Sequence, residues 1–289
     1  MLEFFRALAD PGLAFLRYAL LVGLLASVAF GIVGSYVVAR RISYMAGAIS
    51  HSVLGGIGLA LYLQIAAGWA WCHPAFGAVV AALVSALIIG LVSLHGGQRE
   101  DTVIGSLWAL GMAAGLLFLS RVPGNVDAMS FLFGNILLLS RSDVWMVAVL
   151  DVLIAGIALL FSNRLLAVCF DEEFARVRGV RVQFFFLLLL CLTALTIVLL
   201  VRVVGAVLVI ALLTLPAALA GLFTRRLWQM MLGAIAACML FVTAGLAISY
   251  AEDLPSGPTI IVLAGILYLG ALALARPLSK RRARGRPLA

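Results

Sequence analysis

The stretch RRISYMAGAISHSVLGGIGLALYL, Arg40 to Leu63, decides how this chain folds. Two arginines open it, and the remainder is apolar, small or weakly polar, with one histidine, His51. The uncharged run goes on: no Asp, Glu, Lys or Arg occurs from Ile42 to Gln98. A helix needs about 20 mostly apolar residues to cross a bilayer, so this run holds more than one crossing. Lipid cannot satisfy backbone N–H and C=O groups, and a helix satisfies them internally. A histidine inside such a helix is costly, which makes it a candidate for function.

The same reading extends along the chain. Of its 289 residues 65% are hydrophobic and 11% charged, against roughly 45–50% and 25% for soluble domains. Further uncharged runs cover Val182–Val201, Val203–Thr224 and Leu227–Ala251. Spans are predicted near 13–39, 49–67, 74–94, 103–120, 143–161, 183–201, 204–222, 227–249 and 258–275. The expected fold class is all-α, a polytopic membrane helix bundle of about 8–10 spans with at least one short or broken helix. The whole of 1–289 reads as one transmembrane domain, with an N-terminal segment at 1–12 and a basic tail at 277–289. The opening MLEFFRALADPG lacks the basic start of a cleaved signal, so the first span is expected to direct insertion.

One apolar piece, SFLFGNILLL from Ser130 to Leu139, is short for a span. As a full crossing it makes ten spans; as a re-entrant half-helix it makes nine. The distribution of basic residues does not choose between them. With the tail inside, either arrangement leaves 15 of the 20 basic residues inside and five outside. Both arrangements put 163–181, the most charged internal stretch, inside, where a short amphipathic helix is expected.

Several chemistries are excluded. The single lysine, Lys280, lies in the tail, so no P-loop is present, because that phosphate cradle requires a lysine. No GxSxG or HExxH motif occurs. The four cysteines form no CxxC pair and read as small buried hydrophobes. His73 follows two tryptophans and reads as interfacial, and His95 falls at a span end. The net charge of +8 does not indicate nucleic acid: six basic residues sit in ARPLSKRRARGRPLA, a cytoplasmic signal that also suits anionic lipid headgroups.

Five stretches in order complete the pattern: RRISYMAGAISHSVLGGIG (40–58), REDTVIGSLWALG (99–111), SFLFGNILLLSRSD (130–143), VVGAVLVIALLTLPAALAG (203–221) and DLPSGPTIIVLAG (253–265). Together they resemble the permease subunit of the ABC-type zinc, manganese and iron uptake systems, over about residues 13–276 and with a fold similar to type II ABC importer permeases. The resemblance implies a permease for a divalent metal ion, zinc or manganese and possibly iron, in a bacterial cell membrane. It implies a homodimer, a separate cytoplasmic ATPase and an extracytoplasmic metal-binding protein. No cofactor is expected in the chain and no enzymatic activity of its own.

The resemblance also implies roles for residues. DEEFARVRGV is similar to the loop that docks on the ATPase, which assigns coupling to Asp171, Glu172, Ala175 and Gly179. His51 matches the family's transport histidine. Many members place an aspartate four residues earlier, on the same helix face; here that position is Gly47. Asp127, Asp101 and Asn135 are the candidate replacements, with Glu100 and Asp253 also near in the motif order and Ser50 and Ser52 beside the histidine. Arg40 and Arg41 are either inner topology anchors or outer contacts for the binding protein. Analogy with vitamin B12 and siderophore permeases favours the outer placement and ten spans. Gly55, Gly56 and Gly58 are expected to let helices approach closely, and Pro216 to kink its helix as a gate element. The competing class is a proton-coupled secondary metal transporter, for which Asp151 is the only acid clearly inside an apolar run.

Overall fold

The computed structural model describes residues 4, 7–8, 11–95, 100–123, 128–134 and 141–284. Its helices are α1 (Ala14–Ala39), α2 (Ser43–Ile65), α3 (Pro74–Leu94), α4 (Glu100–Leu119), α5 (Ala128–Phe133), α6 (Arg141–Leu160), α7 (Ser162–Phe170), α8 (Glu172–Val177), α9 (Val182–Val204), α10 (Ala206–Phe223), α11 (Leu227–Ala251) and α12 (Ser256–Arg284). Among the described residues nine of these are long and apolar enough to cross a membrane, and none forms a strand. The fold class is the expected one, a polytopic helix bundle. Helix α1 is its axis: it packs against α6, α9, α10 and α11, while α2 packs chiefly against α3 and α4.

One departure from the predicted spans is at α2, which begins at Ser43 rather than 49. The cause is the turn before it. Arg41 adopts the left-handed conformation, φ 63°. The Ile42 N–H donates to the Val37 carbonyl at 3.0 Å and the Arg41 N–H to the Val38 carbonyl at 3.1 Å. This is a Schellman turn, and the next helix starts two residues after its left-handed residue. His51 therefore lies in the third turn of α2, not at its mouth.

Helix α2 is gripped through its glycines, as expected. A Cβ at Gly55 would stand 2.8 Å from the Gly111 carbonyl oxygen, and one at Gly58 2.7 Å from that of Gly115, both on α4. One turn-face away, Gly56 abuts Gly77 and Ala81 of α3. Without a hydrophobic force between helices in lipid, close backbone approach at small residues supplies the dispersion contact that holds them.

An ion pair settles the topology. The guanidinium of Arg40, between α1 and α2, pairs with the Glu172 carboxylate on α8. The α1–α2 and α6–α9 connections are thus at one membrane face. With α2, α3 and α4 each crossing, α4 ends and α6 begins at the opposite face. The six-residue α5 is about 9 Å long, far short of a bilayer. Since α4 ends and α6 begins at one face, α5 adds no tenth crossing, and the ten-span arrangement favoured by analogy is incorrect. The end of α5 seats against Gly205, which takes φ 83° between α9 and α10, and against Gly257 at the start of α12. A side chain at either glycine would run into the backbone of Leu132–Gly134.

The face that holds Arg40 and Arg41 also holds Arg164, Arg176, Arg178, Arg181, Arg225 and Arg226. The positive-inside rule makes it the cytoplasmic one. The outer placement of Arg40 and Arg41 against a binding protein is corrected accordingly: the pair with Glu172 holds Arg40 at the inner face.

Two outcomes are expected on thermal unfolding in detergent. Gly56→Val forces α3 away and destabilises by about 1–3 kcal/mol, whereas Gly156→Ala, with nothing within 4 Å of the added carbon, does not lower the midpoint and raises it slightly, as alanine favours the helix. Arg41→Ile loses about 1–2 kcal/mol because a β-branched residue resists φ 63°, while Arg41→Gly is tolerated.

Candidate functional site

His51 is 8% exposed. Its ring stacks on the indole of Trp108 of α4, with centroids 4.7 Å apart and planes 20° from parallel. Tyr44, two turns earlier on α2, touches the same indole at 5.8 Å. The neighbouring hydroxyls are occupied: Ser50 Oγ donates to the Ala206 carbonyl at 2.9 Å, and Ser52 Oγ to that of Ala48 at 2.9 Å while reaching Leu107 O at 3.3 Å. The imidazole is not. Its Nδ1 is buried without a hydrogen-bond partner. A buried polar nitrogen left unpaired costs about 1–3 kcal/mol, so the fold retains a ligating atom it has not used.

The absence of a carboxylate at Gly47 now has a physical reason. A Cβ there would stand 2.8 Å from Trp108 Cζ3. The indole fills the space that a side chain at 47 requires, and the wall beside His51 is aromatic. Trp108 was the residue sequence reasoning missed. Its signal was position: tryptophan favours the membrane interface, and this one stands in the middle of an apolar span.

Among the described residues no other expected ligand joins His51 in a metal cluster. Asp101 is exposed on the first turn of α4, about 10 Å along the axis from Trp108. Asp127 and Asn135 lie outside the described residues. Among the described residues no three His, Cys, Asp or Glu side chains come together as a metal cluster. The other histidines have structural employment: His73 caps α3 by accepting from the Ala75 N–H at 3.2 Å, and the His95 Nδ1 lies 2.7 Å from the Leu91 carbonyl. Asp151 is buried on α6, where its Oδ1 accepts from the Ala29 N–H of α1 at 2.8 Å. It ties two helices. Pro216 is buried inside α10, where it leaves the Leu212 carbonyl without its helical donor.

At the cytoplasmic face, the residues of DEEFARVRGV build one small helix. Asp171 caps α8 by accepting from the Phe174 N–H at 2.9 Å. Ala175 is fully buried and anchors it. Gly179 closes it in a second Schellman turn: φ is 75°, and the Val180 N–H donates to the Ala175 carbonyl at 3.0 Å. Glu172 holds Arg40. The remaining surface mixes the exposed charges of Glu173, Arg176 and Arg178 with exposed apolar side chains, Phe170, Phe174 and Val177, the last 87% exposed. Behind it Cys169 is buried. Burial pushes its thiol up to about 12, against the opposing pull of the Arg40 charge, so it stays protonated and unreactive.

Among the described residues, nine helices long and apolar enough to cross a membrane, with one short helix between two of them, make a polytopic helical membrane protein. The chain belongs to the ABC 3 transport family, whose model matches residues 13–275. It is 41% identical over 255 residues to a probable metal transport system membrane protein of Chlamydia pneumoniae, covering 88% of this chain and 87% of that one. It is 34% identical over 256 residues to the manganese transport system membrane protein MntC of Halalkalibacterium halodurans, covering 88% and 85%. Among solved structures, PsaBC from Streptococcus pneumoniae in complex with Fab matches at a TM-score of 0.82 and 29% identity, over 93% of this chain and 94% of that one.

The Gly47–Trp108 exchange is testable by a double-mutant cycle on thermal stability. Gly47→Asp and Trp108→Ala each destabilise. The double variant costs less than their sum by about 1 kcal/mol or more, since the ring's removal admits the carboxylate.

Proposed function

We propose that the chain is the membrane-spanning subunit of an ATP-driven uptake transporter for a divalent metal ion, manganese foremost and zinc next, in a bacterial cell membrane. The observation that carries this reading is the unpaired Nδ1 of His51, buried in a transmembrane helix of a metal-transport family chain. An imidazole suits borderline divalent ions. Among the described residues no acidic cluster accompanies this nitrogen, and weak holding suits conduction, in which the ion must enter and also leave.

The cycle follows from the two faces. An extracytoplasmic binding protein delivers the ion at the outer face, where α5 and the starts of α10 and α12 meet. His51 holds it briefly within the membrane. A separate ATPase engages the exposed apolar surface of Phe170, Phe174 and Val177, whose burial against a groove on the motor is favourable in the manner of other helix-in-groove contacts. The lone Lys280 leaves the motor to another chain. Two copies enclose the pathway. Manganese is placed first because curated relatives are named for it. The proton-coupled rival is disfavoured by Asp151, whose carboxylate is committed to the Ala29 N–H.

The test is uptake of radioactive manganese and zinc at limiting metal by cells expressing the chain with an ABC-type ATPase and a metal-binding protein. His51→Ala is expected to lower uptake by about tenfold or more, a loss typical of removing a group that supports a metal centre, at unchanged membrane abundance. Unimpaired uptake would remove His51 from the pathway.

A further inference from the structure

Arg40 and Glu172 are 132 positions apart, on elements with different expected duties. Glu172 opens α8, which carries the exposed Phe174 and Val177. Arg40 is the C-cap of α1 and lies at the elbow into α2. The same guanidinium also lies over the Phe186 ring of α9 at 5.4 Å. It therefore holds both α8 and the span after it. One turn before, the Tyr36 hydroxyl donates to the Ala158 carbonyl of α6 at 3.4 Å, fixing the elbow to the span that precedes α7.

The elbow has no slack. Residues 40–42 alone separate α1 from α2, and the Schellman bonds hold them. A displacement applied at Arg40 is handed to α2 as rigid-body motion, since packed helices shift rather than stretch. Eight residues beyond the start of α2, about 12 Å along its axis, stands His51. Helix α8 touches little else in the bundle: Ala175 is its one fully buried side chain.

We propose that the Arg40–Glu172 ion pair is the link through which α8 moves α2, so that motion of the ATPase changes the exposure of His51. The link rests on the transport reading above. Each residue acts by position, and the pair carries the motion as a charge pair. The bistable element is α2 in its glycine grip, and α8 biases it from outside the membrane.

The experiment uses the assembled permease–ATPase complex in proteoliposomes, fed by its binding protein, with manganese taken up per ATP hydrolysed as the readout. Arg40→Glu and Glu172→Arg are each expected to lower that ratio about tenfold, within the 5- to 150-fold range typical of coupling between sites. The double exchange, which restores the pair with its charges reversed, is expected to bring the ratio back to within about threefold of wild type on the same scale. Glu172→Gln, which removes one charge without creating a like-charged pair, gives the same reading if a reversed charge prevents assembly. A ratio unchanged in the single variants, or uptake and hydrolysis falling together, overturns the link. So does a double exchange that fails to recover. A wild-type complex that carries neither manganese nor zinc defeats the transport reading and the link with it, whereas an active wild type with indifferent variants defeats the link alone.

Discussion

Everything at His51 depends on α2 being enclosed, and enclosure depends on how near two neighbours can come. In lipid there is no water to expel between helices, so contact must come from dispersion at short range and from hydrogen bonds. Side chains on the contact faces would hold α3 and α4 off by their own thickness. Gly55 and Gly58 remove that spacing toward α4, and Gly56 removes it toward α3. The result is a helix sheathed on two sides by backbone, with room beside its third turn for an indole and an imidazole laid face to face. A histidine nitrogen can be left unpaired there because the stack and the sheath contribute what the missing hydrogen bond does not.

The two ends of this helix do different work. Toward the outer face the end of α5 is admitted by Gly205 and Gly257. Toward the cytoplasm the chain turns at a Schellman elbow and is held by an ion pair to a short helix that presents apolar side chains to solvent. The histidine lies between an outer face assembled from helix ends and an inner face held by charge. This division suits a molecule that takes its cargo from one partner and its motion from another.

Much of this was legible in the residues. Charge-free runs located the nine long helices closely, because a bilayer leaves few ways to satisfy a backbone. The short SFLFGNILLL piece was recognisable as anomalous by length alone, and the glycines of α2 announced close packing by composition. The side on which Arg40 lies was not legible, because inverting the first four spans exchanges equal numbers of arginines. Only its meeting with Glu172, far away in the chain, breaks that balance. The start of α2 was misplaced because a left-handed arginine is an uncommon turn residue, chosen by the elbow's hydrogen bonds rather than by propensity. The environment of His51 was read from its own helix, and half of it belongs to another. Asp171, Ala175 and Gly179 were read as a docking pattern; in the fold they serve as cap, anchor and left-handed closure of one small helix.

The volume between Gly47 and Trp108 is a single quantity divided between two helices. A bulky ring at one position leaves room for nothing at the other. A carboxylate at 47 would require the space back. The two positions are therefore coupled across the helix boundary: a side chain added at 47 must displace the indole, and a smaller residue at 108 frees the space beside Gly47.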